Sequence, residues 1–331
     1  MIRSSSAVIT VLVFTGFQIV TISSQMCIEC ASPTLRNNWQ LTAYPKIYTD
    51  DKFDTGCDNG EPNFGVAVSC SSYCVEMIIP TPDAGYAMLR GCLDNLMTPE
   101  NRPNVVLENS DKTLGDCAYG PIDRRVNIMD VGKIVANDTG YLGIHFCQSA
   151  AGLTSASVLC NNIMTLKKMA DRYDPKAADY PKAQGFFEML LLKDRLTCAA
   201  ASNYVNCLSC SSADDNGACD KNNKNTPCQG TYCTKTFGKQ GPMDIVKRGC
   251  SPINPYGLKT DGCAWVDFKT SLPMSDGTAG GAPRTKRDTD LSLTYAANQC
   301  FCQGDRCNSA TSITFAFFTI LTPIFVAVKV L

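Results

Sequence analysis

Twenty cysteines and a single histidine are the residues of this 331-residue chain best equipped for chemistry. The first nine cysteines are Cys27, Cys30, Cys57, Cys70, Cys74, Cys92, Cys117, Cys147 and Cys160. Cys198 stands apart, and ten more follow: Cys207, Cys210, Cys219, Cys228, Cys233, Cys250, Cys263, Cys300, Cys302 and Cys307. Both runs open on Cys-x2-Cys, as CIEC and CLSC, a spacing that suits a zinc site, a redox pair or the start of a disulfide framework. Zinc would need a second such pair near each, and the later cysteines do not recur in that form. Redox work needs a lowered thiol pKa, and nothing places Cys27 or Cys207 at a helix N-terminus. His145, standing alone, excludes any site built on two imidazoles. No Gly-x-Ser-x-Gly elbow or phosphate loop occurs, and the carboxylate pair Asp214-Asp215 lies in an Asn-rich stretch with no pocket to raise a pKa. The cysteines read as disulfides, and the chain as non-enzymatic, with no cofactor and no metal.

The two runs match in register. Three residues separate Cys70 from Cys74, and four separate Cys228 from Cys233. The next cysteine follows 18 and 17 positions later, each time within Arg-Gly-Cys (Arg90-Gly91-Cys92 and Arg248-Gly249-Cys250). Both runs close on Cys-Asn, at Cys160-Asn161 and Cys307-Asn308. Several matched spacings in order indicate an internal duplication.

The second run, with its ten cysteines and its ending CFCQGDRCN, resembles the Ly-6/uPAR three-finger family, in the form seen in invertebrate, nematode-like members. Residues alone leave the connectivity open. The resemblance implies Cys207–Cys233, Cys210–Cys219, Cys228–Cys250, Cys263–Cys300 and Cys302–Cys307, with Asn308 as the closing asparagine. For the first run it implies Cys27–Cys74, Cys30–Cys57, Cys70–Cys92 and Cys117–Cys147. There the pattern departs, because the cysteine that should pair with Cys160 is missing. Cys160–Cys198 would complete the set; alternatively His145 marks the lost partner position. The fold expected is all-β and disulfide-rich: two three-finger domains with a helical segment between them.

The elements that must carry these cysteines are short. The stretches 66–68, 75–79, 86–89 and 264–268 read as antiparallel strands, and small sheets of this kind lean on disulfides for stability. The resemblance places fingers at 31–69, 75–91 and 118–146, then at 211–227, 234–249 and 264–299. Finger one of the first domain gathers Trp39, Tyr44, Tyr48 and Phe53, which with Tyr86 are candidate protein contacts; the other reading is that they pack over a thin sheet. In the cysteine-free stretch 161–197, Ile163, Leu166 and Met169 share one helical face and 186–196 is apolar enough for a second helix. The boundaries expected are a signal peptide at 1–25, domains at 26–161 and 198–308, a linker at 162–197, and a removed tail at 309–331.

Arg3, the apolar stretch 7–22 and the small polar residues before Gln25 have the layout of a secretory leader. At the other end a small-residue cluster precedes an apolar terminus, the form of a glycolipid-anchor (GPI) signal with attachment at Asn308 or Ser309. The polar spacer is shorter than usual, so a membrane span and a secreted form remain alternatives. Asn137-Asp138-Thr139 is an N-glycosylation sequon. Arg284-Thr285-Lys286-Arg287 matches a processing site ending at Arg287.

Near-neutral charge, 30 Lys/Arg against 31 Asp/Glu, rules out a polycation that grips nucleic acid through its phosphates. Residues 26–160 carry nine Lys/Arg and 16 Asp/Glu, while 198–308 carry 12 and 10, so the first domain is the negative one. The resemblance implies a surface protein on the outer face of the plasma membrane that modulates a membrane receptor or ion channel, including in neurons. The alternative is an adhesive or coat protein acting between cells. Fold alone does not choose between them.

Overall fold

The computed structural model describes residues 25–59, 65–81, 86–101, 105–123, 139–166, 198–200, 202–212, 219, 226–259, 261–272 and 291–309. The leader, Asn137, Arg287, most of the expected helical segment and the tail from 310 onward lie outside the described residues. Among the described residues no helix is long and apolar enough to cross a membrane.

Two sheets carry the chain. The first contains β1 (Gln25–Ala31), β2 (Val66–Cys70), β3 (Cys74–Pro80), β4 (Tyr86–Cys92), β5 (Asp116–Asp123), β6 (Thr139–Cys147) and β7 (Ala199–Ala200), in the order β2-β1-β4-β3-β6-β5-β7. The second contains β8 (Val205–Ser211), β9 (Thr226–Gly230), β10 (Tyr232–Gln240), β11 (Met243–Ser251), β12 (Gly262–Leu272) and β13 (Leu291–Cys302), in the order β12-β13-β10-β11-β8-β9. Pairing is antiparallel except for β7, which runs parallel to β5 through Ala118 and Tyr119. Residues 198–200, expected to begin the second domain, thus join the first module's sheet. Gln25, expected to be the last leader residue, is the first of β1, opposite Cys70.

Strand β3 is buried along its whole length, and its period-two alternation supplies two faces. Val75, Met77 and Ile79 join a large apolar cluster, while Ile78 joins a second cluster with Cys30, Cys57, Leu159 and Met164. Trp39, Tyr44, Tyr48 and Phe53 belong to the large cluster, which runs on into Tyr232, Ile245, Tyr256, Ala297 and Phe301 of the second module. One apolar core is therefore shared by both modules.

The described residues contain ten disulfides and no free cysteine. In the second module they are Cys207–Cys233, Cys210–Cys219, Cys228–Cys250, Cys263–Cys300 and Cys302–Cys307. In the first they are Cys27–Cys74, Cys30–Cys57, Cys70–Cys92, Cys147–Cys160 and Cys117–Cys198. The last two replace the expected Cys117–Cys147 and Cys160–Cys198, and strand register gives the reason. Cys263 lies directly opposite Cys300, but Cys117 lies opposite His145. Cys147 sits two residues further along β6, a diagonal neighbour at about 7–8 Å with its Cβ only somewhat nearer, whereas a disulfide needs Cβ atoms roughly 3.8 Å apart. Cys147 is instead free to close on Cys160, as Cys302 closes on Cys307, and Cys117 takes Cys198 from the arriving β7.

Each module is locked by its asparagine. Ile28 N donates to Asn161 Oδ1 at 3.0 Å, and Asn161 Nδ2 donates to Ile28 O at 2.9 Å and Val75 O at 3.3 Å. Leu208 N likewise donates to Asn308 Oδ1 at 3.1 Å, with Asn308 Nδ2 donating to Leu208 O at 2.9 Å and Thr234 O at 3.0 Å. The first strand of the second module also lies beside its last residues: Asn206 N donates to Asp305 Oδ1 at 2.8 Å and Arg306 N donates to Asn206 O at 2.6 Å.

The expected helical face at Ile163 and Leu166 does not form within the described residues, because the backbone groups a helix would use are taken. Ile163 N and Met164 N donate to the Glu76 carboxylate, Met164 O accepts from Arg90, and Leu166 N donates to Asp58 O.

Candidate functional site

Glu76, Arg90 and His145 form a wholly buried cluster where β3, β4 and β6 meet. Arg90 Nε donates to Glu76 Oε1 at 2.8 Å, its Nη2 to Met164 O at 2.6 Å, and its Nη1 to Cys57 O. His145 Nε2–H donates to Leu114 O at 2.7 Å, while Nδ1 lies 3.7 Å from Glu76 Oε2. Burial by itself would raise the Glu76 pKa; the Arg90 guanidinium, His145 and the Met164 amide outweigh it and hold the carboxyl below its ordinary value. Leu114 is presented by a turn through Gly115, whose φ of +65° and tight approach to Phe146 O leave no room for a side chain. With no opening to solvent, these three groups hold strands and finger one together and are not placed to meet a substrate.

The Arg-Gly-Cys repeat has a physical role here. Arg90 is the hub just described, and a Cβ at Gly91 would collide with the Tyr48 hydroxyl, which donates to Arg90 O at 2.8 Å. At the corresponding places in the second module Lys235 stands where Glu76 does, opposite Arg248. The acidic cluster is thus peculiar to the first module.

The aromatic finger forms the joint between modules. Trp39 Nε1 donates to Tyr44 O at 3.0 Å, and Ala43 adopts a left-handed φ of 64°, turning Tyr44 toward the second module. The Tyr44 hydroxyl donates to Pro255 O at 2.7 Å, and the Tyr256 hydroxyl donates back to Ala43 O at 2.8 Å. The two rings sit 6.5 Å apart, and Tyr256 meets Phe301 edge-on at 5.3 Å. Nearby, Lys259 pairs with Glu108 across the seam. Beside it opens a cleft of about 610 Å3 lined from both modules, by Asp116, Ala118 and Ala199 on one side and Tyr232, Leu258 and Gln303 on the other.

Trp39, Tyr44, Tyr48 and Phe53 are therefore not outward protein contacts: each is buried, because the finger folds over β3 and β4 and the second module covers it. Tyr86 is partly buried, and its hydroxyl accepts from Tyr141 N at 3.2 Å. Of the large apolar residues left exposed, Ile47 lies in finger one and others lie outside it. Met243, at the β10–β11 turn, is 61% exposed, and Trp265 on β12 is 45% exposed. Trp265, Asn298, Phe237 and Val246 form a row across four strands in direct register. Alternation within a half-covered sheet could have located Trp265, since Ala264, Val266 and Phe268 take the inner face.

Removing one hydroxyl of the reciprocal pair tests the joint. Tyr256→Phe leaves Ala43 O buried without its donor and is expected to cost about 1–3 kcal/mol in denaturant unfolding. The buried phenols also set an alkaline limit. Burial raises the pKa of Tyr44, Tyr48 and Tyr256 well above 10.0, and that of Tyr295 to about 12. Their contribution is complete below the pH at which the unfolded chain ionises and is lost as pH rises through the folded values. Phenolate absorbance is expected to appear together with unfolding rather than before it.

Two groups of three sulfurs, Cys27/Cys70/Cys92 and Cys74/Cys147/Cys160, lie close enough to suit a metal. All six atoms belong to disulfides, so they are not thiolate donors. Residues 30–115, about a quarter of the chain, match a family model described as the ly-6-related protein of Caenorhabditis elegans. No curated protein and no solved structure matches the chain. Those residues fall within the first module, which is thus similar to a Ly-6-related domain over its first two fingers; the second module repeats its framework of five disulfides and a closing asparagine, and the architecture is a non-catalytic, disulfide-stabilised one of the three-finger type.

Proposed function

We propose that the chain acts outside the cell as a binding protein, engaging and modulating a membrane receptor or ion channel that shares its membrane, with neurons as one setting. The supporting observation is the outward row at Trp265, a large aromatic side chain left exposed on the face opposite the one where Ala264, Val266 and Phe268 are packed. Aromatic residues in such positions are the usual anchors of protein contacts. Ten disulfides belong to an oxidising compartment, which agrees with secretion. In this reading the leader is removed near Gln25, Asn137 is glycosylated, and a GPI anchor joins the chain to the bilayer. The attachment residue in this reading is Asn308 or Ser309. Cleavage after Arg287 would leave both halves joined through Cys263–Cys300.

The test is crosslinking on intact cells, comparing the wild-type chain with Trp265→Ser. Recovery of one multipass protein by the wild type, reduced at least tenfold in the variant, is expected. Equal recovery by both would reject this surface, and assembly only between apposed cells would favour the adhesive reading. Phosphatidylinositol-specific phospholipase C is expected to release the protein from the same cells; retention beside a released control would overturn the anchor.

A further inference from the structure

Strand β7 ends after two residues, and beyond it the seam between the modules stays open as the cleft of about 610 Å3. That volume is within the roughly 300–1,000 Å3 usual for ligand sites, which often form at such joints. Both walls are partly apolar, with Val106 and Ala118 from the first module and Val205 and Leu258 from the second. Val106 is 65% exposed. Charge in the cleft is unequal. Among the described residues lining it, Glu108 and Asp116 face one cation, Lys259, and the Lys259 ammonium is already bonded to Glu108. Asp116 is half-buried, and its two oxygens accept from the amides of Glu108 and Asn109. Those bonds fix the carboxylate at the wall and leave it further lone pairs. On the facing wall Lys259 is held at a left-handed φ of 74°, its amide donating to the Tyr232 hydroxyl at 2.7 Å. Backbone strain of this kind collects at ligand clamps.

We propose that this cleft takes a basic side chain of a partner protein, its charged head on Asp116 and its aliphatic stem against Val106 and Leu258. The occupant follows from charge and surface together. An anionic group would meet a surplus of carboxylate, and a purely apolar one would cover Asp116 without giving it a counter-charge. Lysine and arginine satisfy both walls, because they lay an apolar stem along apolar surface and present a cation at the end. The first module as a whole agrees: residues 26–160 carry nine Lys/Arg against 16 Asp/Glu, a field that draws a cationic partner in. The half-buried setting of Asp116 makes the pairing stronger than it would be on open surface. This site is separate from the Trp265 row, and either proposal stands without the other.

The experiment is fluorescence anisotropy on the full-length protein, expressed on cells and solubilised in mild detergent, with a labelled Ala-Val-Arg-Val-Ala peptide as probe. Saturable binding is expected, at least tenfold tighter than with glutamate or norleucine in place of arginine, and weakened by salt. Val106→Lys puts a cation into the cleft and is expected to weaken binding at least tenfold, with thermal unfolding unchanged because Val106 is exposed. Asp116→Asn, which removes the charge and keeps an acceptor, is expected to abolish the preference for arginine over norleucine. Val66→Lys adds the same charge at the far edge of the first sheet and is expected to leave binding as it was, as is Trp265→Ser. Absence of saturable binding overturns the proposal. So does equal binding of the three peptides, a preference for arginine that survives Asp116→Asn, or a loss in Val66→Lys or Trp265→Ser as large as in Val106→Lys. N-acetylarginine amide binding as tightly as the peptide also overturns it, since a small solute would then fill the cleft.

Discussion

Glu76→Gln is expected to lower the unfolding free energy by about 3–5 kcal/mol, the range for removing one partner of a buried ion pair. The loss is large because Arg90 stays behind, fully buried, still bonded to the carbonyls of Cys57 and Met164 but without the Glu76 carboxylate that balances its charge. The Ile163 and Met164 amides lose a charged acceptor at the same time. The wild type should also be sensitive to acid in a way the variant is not. Its carboxyl is held below the ordinary value of 4.5, so the stabilisation is present above that pH and lost as pH falls through the folded value. Denaturant midpoints followed from neutral to acid pH check both statements. A variant equal in stability to the wild type, or one with the same acid profile, would contradict this account of the cluster.

Replacing Cys117 and Cys198 together by serine should cost about 4 kcal/mol, since that disulfide closes a span of 81 residues in the unfolded chain. The larger consequence is local. The β5–β7 pairing comprises only Ala118 with Ala199 and Tyr119 with Ala200, too little to hold a strand without its covalent tie. Amide exchange around Ala199 should rise to that of an open chain, while β10 and β11 remain protected. Non-reducing peptide mapping provides the direct check: linked peptides should join Cys117 to Cys198 and Cys147 to Cys160. Recovery of Cys117 with Cys147 would refute the register argument.

What could be read from the residues follows the range of the interaction concerned. The duplication and the two Cys-Asn endings rest on local spacing, which the fold preserves, while the second module's pairing and the role of Asn308 follow from the resemblance that its ten cysteines carry. The two exchanged disulfides follow from neither, because His145 stands opposite Cys117 where Cys300 stands opposite Cys263, and Cys117 closes instead on Cys198, far along the chain. Trp39 and Tyr44 have a composition suited to contact surfaces, and only the folding back of finger one and the arrival of Pro255 and Tyr256 bury them. Ile163 and Leu166 have helical spacing, yet a buried carboxylate and guanidinium claim the intervening backbone. In each case the deciding group is distant in sequence, where periodicity carries no signal.

The side-by-side placement of Asn206 and Arg306 has a mechanical consequence. A pull applied at Ser309 and resisted at the first module would cross the second module only at its base, from Arg306 to Asn206. From there the load would run along 198–205 and pass through the Cys117–Cys198 bond into β5. The paired strands β12 and β13 would not bear tension. The distance between the modules and whatever holds the tail would then stay fixed under force, with the second module's fingers carried on a short strut and left unstrained.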